Sequence, residues 1–242
     1  MVDLNRIKAE VANFTRRYDI ASVLKEGGVG VELGVAEGFF SRKMLEISKL
    51  KYLYSVDMYA GDRGHGTDQY KHALRQLDPF RDRNTILRMR FDEAVDLFPD
   101  DYFDFIYVDG YAHTGEEAGD TFFDWYSKLK VGGIIAGDDY DAAVWPGVVS
   151  SVNQFAALAN IEVMVIHVSE EARTENIWSR HATWLAVKTS DAPVRRPICG
   201  LVVPPPPAAW RLQNSPLYRI ARGSVSNVKR IAQNVFAERG GK

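Results

Sequence analysis

The chain has 242 residues, 46% of them hydrophobic. That is enough for one sizeable α/β domain with appendages rather than two full domains. The net charge of -2 exerts no overall pull toward nucleic acid or membrane. A single cysteine, Cys199, excludes an internal disulfide.

The N-terminal text MVDLNRIKAEVANFTRRYDI is charged throughout and has no apolar signal-peptide core. No apolar run reaches the roughly 18 residues that a membrane span needs. The expectation is a soluble cytoplasmic protein in a reducing compartment. Residues 1–24 carry a helical pattern (Leu4, Ile7, Val11, Phe14, Tyr18). Short apolar runs follow at 29–33, 52–57, 85–89, 103–109, 132–138, 161–168 and 183–188, and their β-branched and aromatic content predicts strands. Helical patterns fall between them at 38–49, 66–77, 91–98, 115–129 and 147–159. This alternation predicts a doubly wound, mostly parallel seven-stranded sheet of the Rossmann-like type. No helix is evident between the last two runs, where 169–182 reads as an irregular excursion, so the final strand is expected to run antiparallel.

After Lys188 the composition changes. SDAPVRRPICGLVVPPPPAAW predicts an extended proline-rich connector, and residues 211–242 carry a basic amphipathic helical pattern. The expected organisation is an N-terminal helical segment (1–24), a core (25–190), and a connector with terminal helix (191–242). The terminal helices are the surfaces through which the chain could pair with itself. Packing on the core or on a partner subunit is the plainer reading of the basic helix, and contact with an anionic surface the sharper one.

Chemistry concentrates at the ends of the predicted strands. In VGVELGVAEGFF, Gly34 allows a tight turn after the first strand, and Gly38 allows close approach of backbone to ligand. No G-x-x-x-x-G-K-[ST] or G-x-G-x-x-G motif is present, which argues against a nucleoside triphosphate or a dinucleotide. Asp57 ends the second strand, 19 residues after Gly38, where an acid accepts hydrogen bonds from ribose hydroxyls. Asp109 ends the fourth strand, and Asp138 and Asp139 end the fifth. If those strands are neighbours about 4.8 Å apart, three carboxylates converge. A divalent cation with oxygen ligands would relieve their repulsion. The alternative is that Asp138 caps a helix while Asp139 and Asp141 are solvated.

His113 is the candidate general base, a substrate contact, or a loop residue; Asp139 and Asp141 are alternative bases. His65 and His72 lie in a glycine-rich loop, read as a surface loop or a lid over a cofactor. His167 falls in a strand and reads as structural. Trp178, Arg180 and His181 could rim a substrate mouth.

The run E-x-G-x-x-x-G, followed by acids ending strands two and four, resembles class I S-adenosylmethionine-dependent methyltransferases over residues 26–190. The resemblance implies that Glu32, Gly34 and Gly38 surround the amino-acid end of S-adenosylmethionine. It further implies that Asp57 holds the ribose, that Met58 and Phe91–Asp92 meet the adenine, and that Asp109 borders the cofactor. VDG…H and GGIIAGDDY look like the metal-dependent O-methyltransferases, the macrocin-type or methyltransferase 24 group. In that group Asp109, Asp138 and Asp139 would hold Mg²⁺, and the acceptor would be a small-molecule hydroxyl of natural-product biosynthesis. The family places its histidine three residues after the aspartate, whereas His113 stands four after. A metal-independent N- or C-methyltransferase and a catalytically silent binding module are the rival expectations.

Overall fold

The computed structural model describes residues 3–61, 65–175, 180–208 and 211. Its centre is a seven-stranded sheet of β1 (Val29–Leu33), β2 (Tyr52–Val56), β3 (Asn84–Leu87), β4 (Phe103–Val108), β5 (Leu129–Gly137), β6 (Met164–Ile166) and β7 (Thr183–Val187), in the order 3-2-1-4-5-7-6. Strands β3, β2, β1, β4 and β5 run parallel, and β7 lies antiparallel between β5 and β6. The Rossmann-like α/β architecture expected from strand–helix alternation, with an antiparallel last strand, is therefore the one observed.

Strand β4 is buried along its whole length, as a central parallel strand covered on both faces must be. Phe105 and Tyr107 point into one apolar layer with Ile7, Ile20, Met44 and Leu77. Ile106 and Val108 point into the other with Phe122, Trp125 and Phe155. Period-two alternation thus feeds both layers from a single apolar run.

The helices Phe39–Ile47, Thr67–Leu77 and Pro146–Ala159 lie close to their expected positions. Three expectations need correction. Residues 1–24 form two pieces, a helix over Leu4–Val11 capped by Asp3 and a 3₁₀ segment over Arg17–Val23. The excursion at 169–182 contains a short helix, Glu170–Glu175. The predicted helix 115–129 is right-handed only over Asp120–Tyr126. Before it, Gly115, Glu116, Glu117 and Ala118 all have φ between 54° and 67°, a left-handed turn. A Cβ on Gly115 would lie 2.8 Å from the Gly147 carbonyl oxygen, so close backbone packing displaces the local helical pattern there. Each L-residue in that conformation costs about 1–2 kcal/mol.

The compact unit runs from Met1 to Pro205. Its last segment lies along the helices beneath it. Arg196 pairs with Asp124 at 2.6 Å, and the Val202 carbonyl accepts hydrogen bonds from Ser150 Oγ and Gln154 Nε2. Residues 206–242 form a second unit, and the amphipathic helix expected there lies outside the described residues. Among the described residues, no helix is long and apolar enough to cross a membrane.

Candidate active site

All the chemistry gathers at the carboxyl ends of β1, β2, β4 and β5, where ligands sit in open parallel sheets. Gly34 has φ 99°, and a Cβ there would sit 2.0 Å from the Asp109 carbonyl oxygen, so only glycine lets the turn leaving β1 pass the end of β4. Gly38, with φ 83°, opens the next helix.

Asp57 ties this turn to the end of β2. Its Oδ2 accepts from the Val35 and Ala36 N–H groups, both at 3.0 Å, and its Oδ1 accepts from the Tyr59 N–H at 3.0 Å. Beneath the turn, Ser41 donates to Glu32 and contacts Ser55, which accepts from Asn84 Nδ2 at 2.9 Å. This buried polar chain crosses β1, β2 and β3. The sequence signals for it, single Ser and Asn residues in apolar strands, were not legible as a network.

Two adjoining cavities occupy the site. A narrow slot of about 70 Å³ is lined by Asp57, Met58, Met89, Phe91 and Tyr111. Tyr111 meets Phe91 edge-on, with centroids 5.3 Å apart, and its hydroxyl lies 3.6 Å from the Met58 sulfur. Gly34, Asp109 and Gly110 border both this slot and a larger chamber of about 370 Å³. The chamber is lined by Glu32, His113, Asp138, Asp139, Trp145, His181 and Arg17, among others.

Most residues singled out from sequence therefore meet in one place. Two stand apart: the Asp92 carboxylate is held by Arg90 at 2.6 and 2.8 Å and does not line the slot, and Gly38 lines neither cavity, its close backbone approach being to Ala73 of the neighbouring helix. His65 borders both cavities, whereas His72 contacts Gln76 on an exposed helix face. Arg180 and His181 do rim the chamber, and His181 Nδ1 lies 3.1 Å from Asp141 Oδ2. Trp178 lies outside the described residues.

The carboxylates are strongly perturbed. Burial, then the neighbouring Asp138 charge, pushes Asp109 up to about 7. Burial raises Glu32 to about 8, opposed by the Ser41 hydrogen bond. Asp139 and Glu116 are raised well above the usual range, by burial first and then by the acids around them. Spacing alone does not point to Glu116; the left-handed turn drives it inward, and its Oε2 is buried without a hydrogen-bond partner among the described residues.

The Glu32 shift fixes a sign. Between about pH 4.5 and 8 the folded state keeps a proton that the unfolded chain loses, so stability falls as pH rises through that window. The expected slope from this group is at most about 1.4 kcal/mol per pH unit. Thermal unfolding at several pH values should show a flatter profile for Glu32→Gln; an unchanged profile would refute the assignment.

Among the described residues, no group of three or more His, Cys, Asp or Glu side chains is arranged to hold a metal ion. The Oδ2 atoms of Asp109 and Asp138 both accept from one nitrogen, Arg17 Nη1, at 3.1 and 2.8 Å. The second oxygen of Asp138 accepts from Thr183 Oγ1 at 3.2 Å. A divalent ion needs these same oxygens at about 2.0–2.6 Å, so the set as arranged does not fit one. The slot, in contrast, offers the residue types that an adenosine contacts: apolar faces from Met58, Met89 and Phe91, and the strand-end acid Asp57, whose oxygens organise the turn beside it.

Residues 31–140 match a family model described as a methyltransferase domain. No curated protein matches. Among solved structures, an rRNA methylase from Streptococcus thermophilus superposes with TM-score 0.51 at 16% identity, covering 72% of this chain and 94% of that one. Precorrin-6y C5,15-methyltransferase from Geobacter metallireducens gives 0.52 at 14% identity, with coverages of 71% and 85%. A tRNA methyltransferase from B. subtilis gives 0.51 at 11%, with coverages of 74% and 67%. At such identities the likeness is one of fold. The matched domain spans the glycine turn, Asp57, Asp109 and the Asp138–Asp139 pair, and the fold around it is the one these solved methyltransferases share.

Proposed function

We propose that the chain is a class I S-adenosylmethionine-dependent methyltransferase that transfers the methyl group to a hydroxyl of a small-molecule acceptor. The observation that carries this reading is the wall that the two cavities share: Gly34, Asp109 and Gly110 line both the slot at Asp57 and Met58 and the chamber lined by His113, Asp139 and Trp145. S-adenosylmethionine supplies an electrophilic methyl group on a sulfonium. What the protein must add is orientation and a proton acceptor. Asp57, Met58 and Phe91 would hold the nucleoside, while Glu32 and the Gly34–Gly38 turn would hold the amino-acid end. The acceptor oxygen would lose its proton to His113 as it takes the methyl group. Asp139, raised by its buried setting, is the alternative base.

The chamber is rich in carboxylates and modest in volume, which suits a neutral or cationic small molecule better than a phosphate backbone. The same carboxylates favour a second reading, an amine acceptor, in which Asp139 would attract the nitrogen.

The test is a panel of hydroxyl and amine acceptors, read as release of S-adenosylhomocysteine. Hydroxyl turnover is expected, and turnover of amines alone would replace the first reading with the second. For an accepted hydroxyl, His113→Ala should bind S-adenosylhomocysteine about as tightly as the parent while transfer falls roughly 10²–10⁴-fold. Undiminished transfer would remove His113 from the mechanism.

A further inference from the structure

The acids at the ends of β4 and β5 need a positive partner, and the structure supplies one from far away in the sequence. Arg17 opens the 3₁₀ segment Arg17–Val23, and its side chain is 4% exposed. One guanidinium nitrogen bridges Asp109 and Asp138. The guanidinium lies 5.2 Å from the Phe40 ring centroid and 5.3 Å from that of Tyr18. Phe40 in turn stacks on Tyr107 of β4 at 3.8 Å. The cation is thus clamped between aromatic faces and two carboxylates, with the first turn of the helix after β1 as one wall.

We propose that Arg17 is the resident cation of this site, standing between Asp109 and Asp138 where the family resemblance would put a divalent ion, so that the protein works without a metal. The proposal rests on the reading of the chamber as the methyl-transfer site.

Three features support it. Both Oδ2 atoms that would face an ion are already directed at Arg17 Nη1. Asp138 has its remaining oxygen committed to Thr183, so it cannot turn toward an ion without losing that bond. A strongly hydrated Mg²⁺ would have to shed water and also displace a guanidinium held by cation–π contacts. Arg17 acts as a positioning residue: it fixes Asp109 at the border of slot and chamber, and it makes the N-terminal segment part of the reaction site.

The experiment uses Mn²⁺ as probe, followed by its paramagnetic resonance signal, on the full chain alongside calorimetric titration with S-adenosylhomocysteine. The parent protein is expected to show no saturable Mn²⁺ binding below the millimolar range, and EDTA should leave S-adenosylhomocysteine affinity within about twofold. Arg17→Met, with its carboxylates released, should gain Mn²⁺ affinity by about tenfold or more, and Arg17→Lys should not. Stoichiometric micromolar Mn²⁺ binding by the parent, abolished by Asp138→Asn, would overturn the proposal. So would a folded Arg17→Met that gains nothing. If Arg17→Met does not fold, the parent titration decides alone. Failure to bind S-adenosylhomocysteine would instead strike the methyl-transfer reading, so the two failures are distinguishable.

Discussion

Arg17→Met is expected to destabilise the protein by about 3–5 kcal/mol at pH 8, because removing one partner of a buried ion pair leaves the other charges uncompensated. For a chain of this length that corresponds to a fall in Tm of roughly 10 °C. The loss should shrink at pH 5.5. Without the guanidinium, the Asp109 and Asp138 carboxyls are raised further, so in acid they fold protonated and the repulsion between them disappears. The sign follows from linkage: carboxyls with raised folded values hold protons that the unfolded chain releases, and stability is lost as pH climbs through those values. Thermal unfolding of parent and variant at the two pH values tests this. A difference independent of pH would show that Arg17 contributes through packing against Phe40 and Tyr18 alone. Arg17→Lys should recover part of the loss, since an ammonium restores charge without the planar fork that stacks on rings.

Asp57→Ala should affect both folding and cofactor binding. It leaves the Val35, Ala36 and Tyr59 N–H groups without their acceptor in a largely buried setting. Each unsatisfied group costs about 1–3 kcal/mol, partly recovered if water enters. A net loss of about 2–5 kcal/mol is expected in urea unfolding. Affinity for S-adenosylhomocysteine should fall by about a hundredfold or more, because the turn that shapes the slot is no longer fixed to β2. Asp57→Asn keeps one carbonyl oxygen and should fall between the two. Unchanged affinity in Asp57→Ala would mean that the slot is not the nucleoside site.

Asp57 and Arg17 both act through contacts that strand-end spacing does not record. Asp57 stands at the position expected of a ribose-holding acid, yet its oxygens also hold the glycine turn. That double role is invisible in spacing, since it depends on how closely β1 and β2 approach at their ends. Asp109 and Asp138 do converge, as adjacent parallel strands require. The positive charge among them proved to be an arginine, which no local pattern connects to either acid.

The sequence by itself determined the layered α/β fold, the strand positions, the glycine turn and the chain order of the acids. These follow from periodicity and from residue types that act on their own backbone neighbourhood. Only the tertiary structure decided which cation neutralises the cluster, because Arg17 lies 92 residues from Asp109 and 121 from Asp138. It alone decided the inward turn of Glu116, where close backbone packing at Gly115 outweighs local helix preference. The physical reason is common to both: helical and strand periods record short-range hydrogen bonding, whereas charge pairing and steric approach across the sheet depend on distances that exist only once the chain has folded.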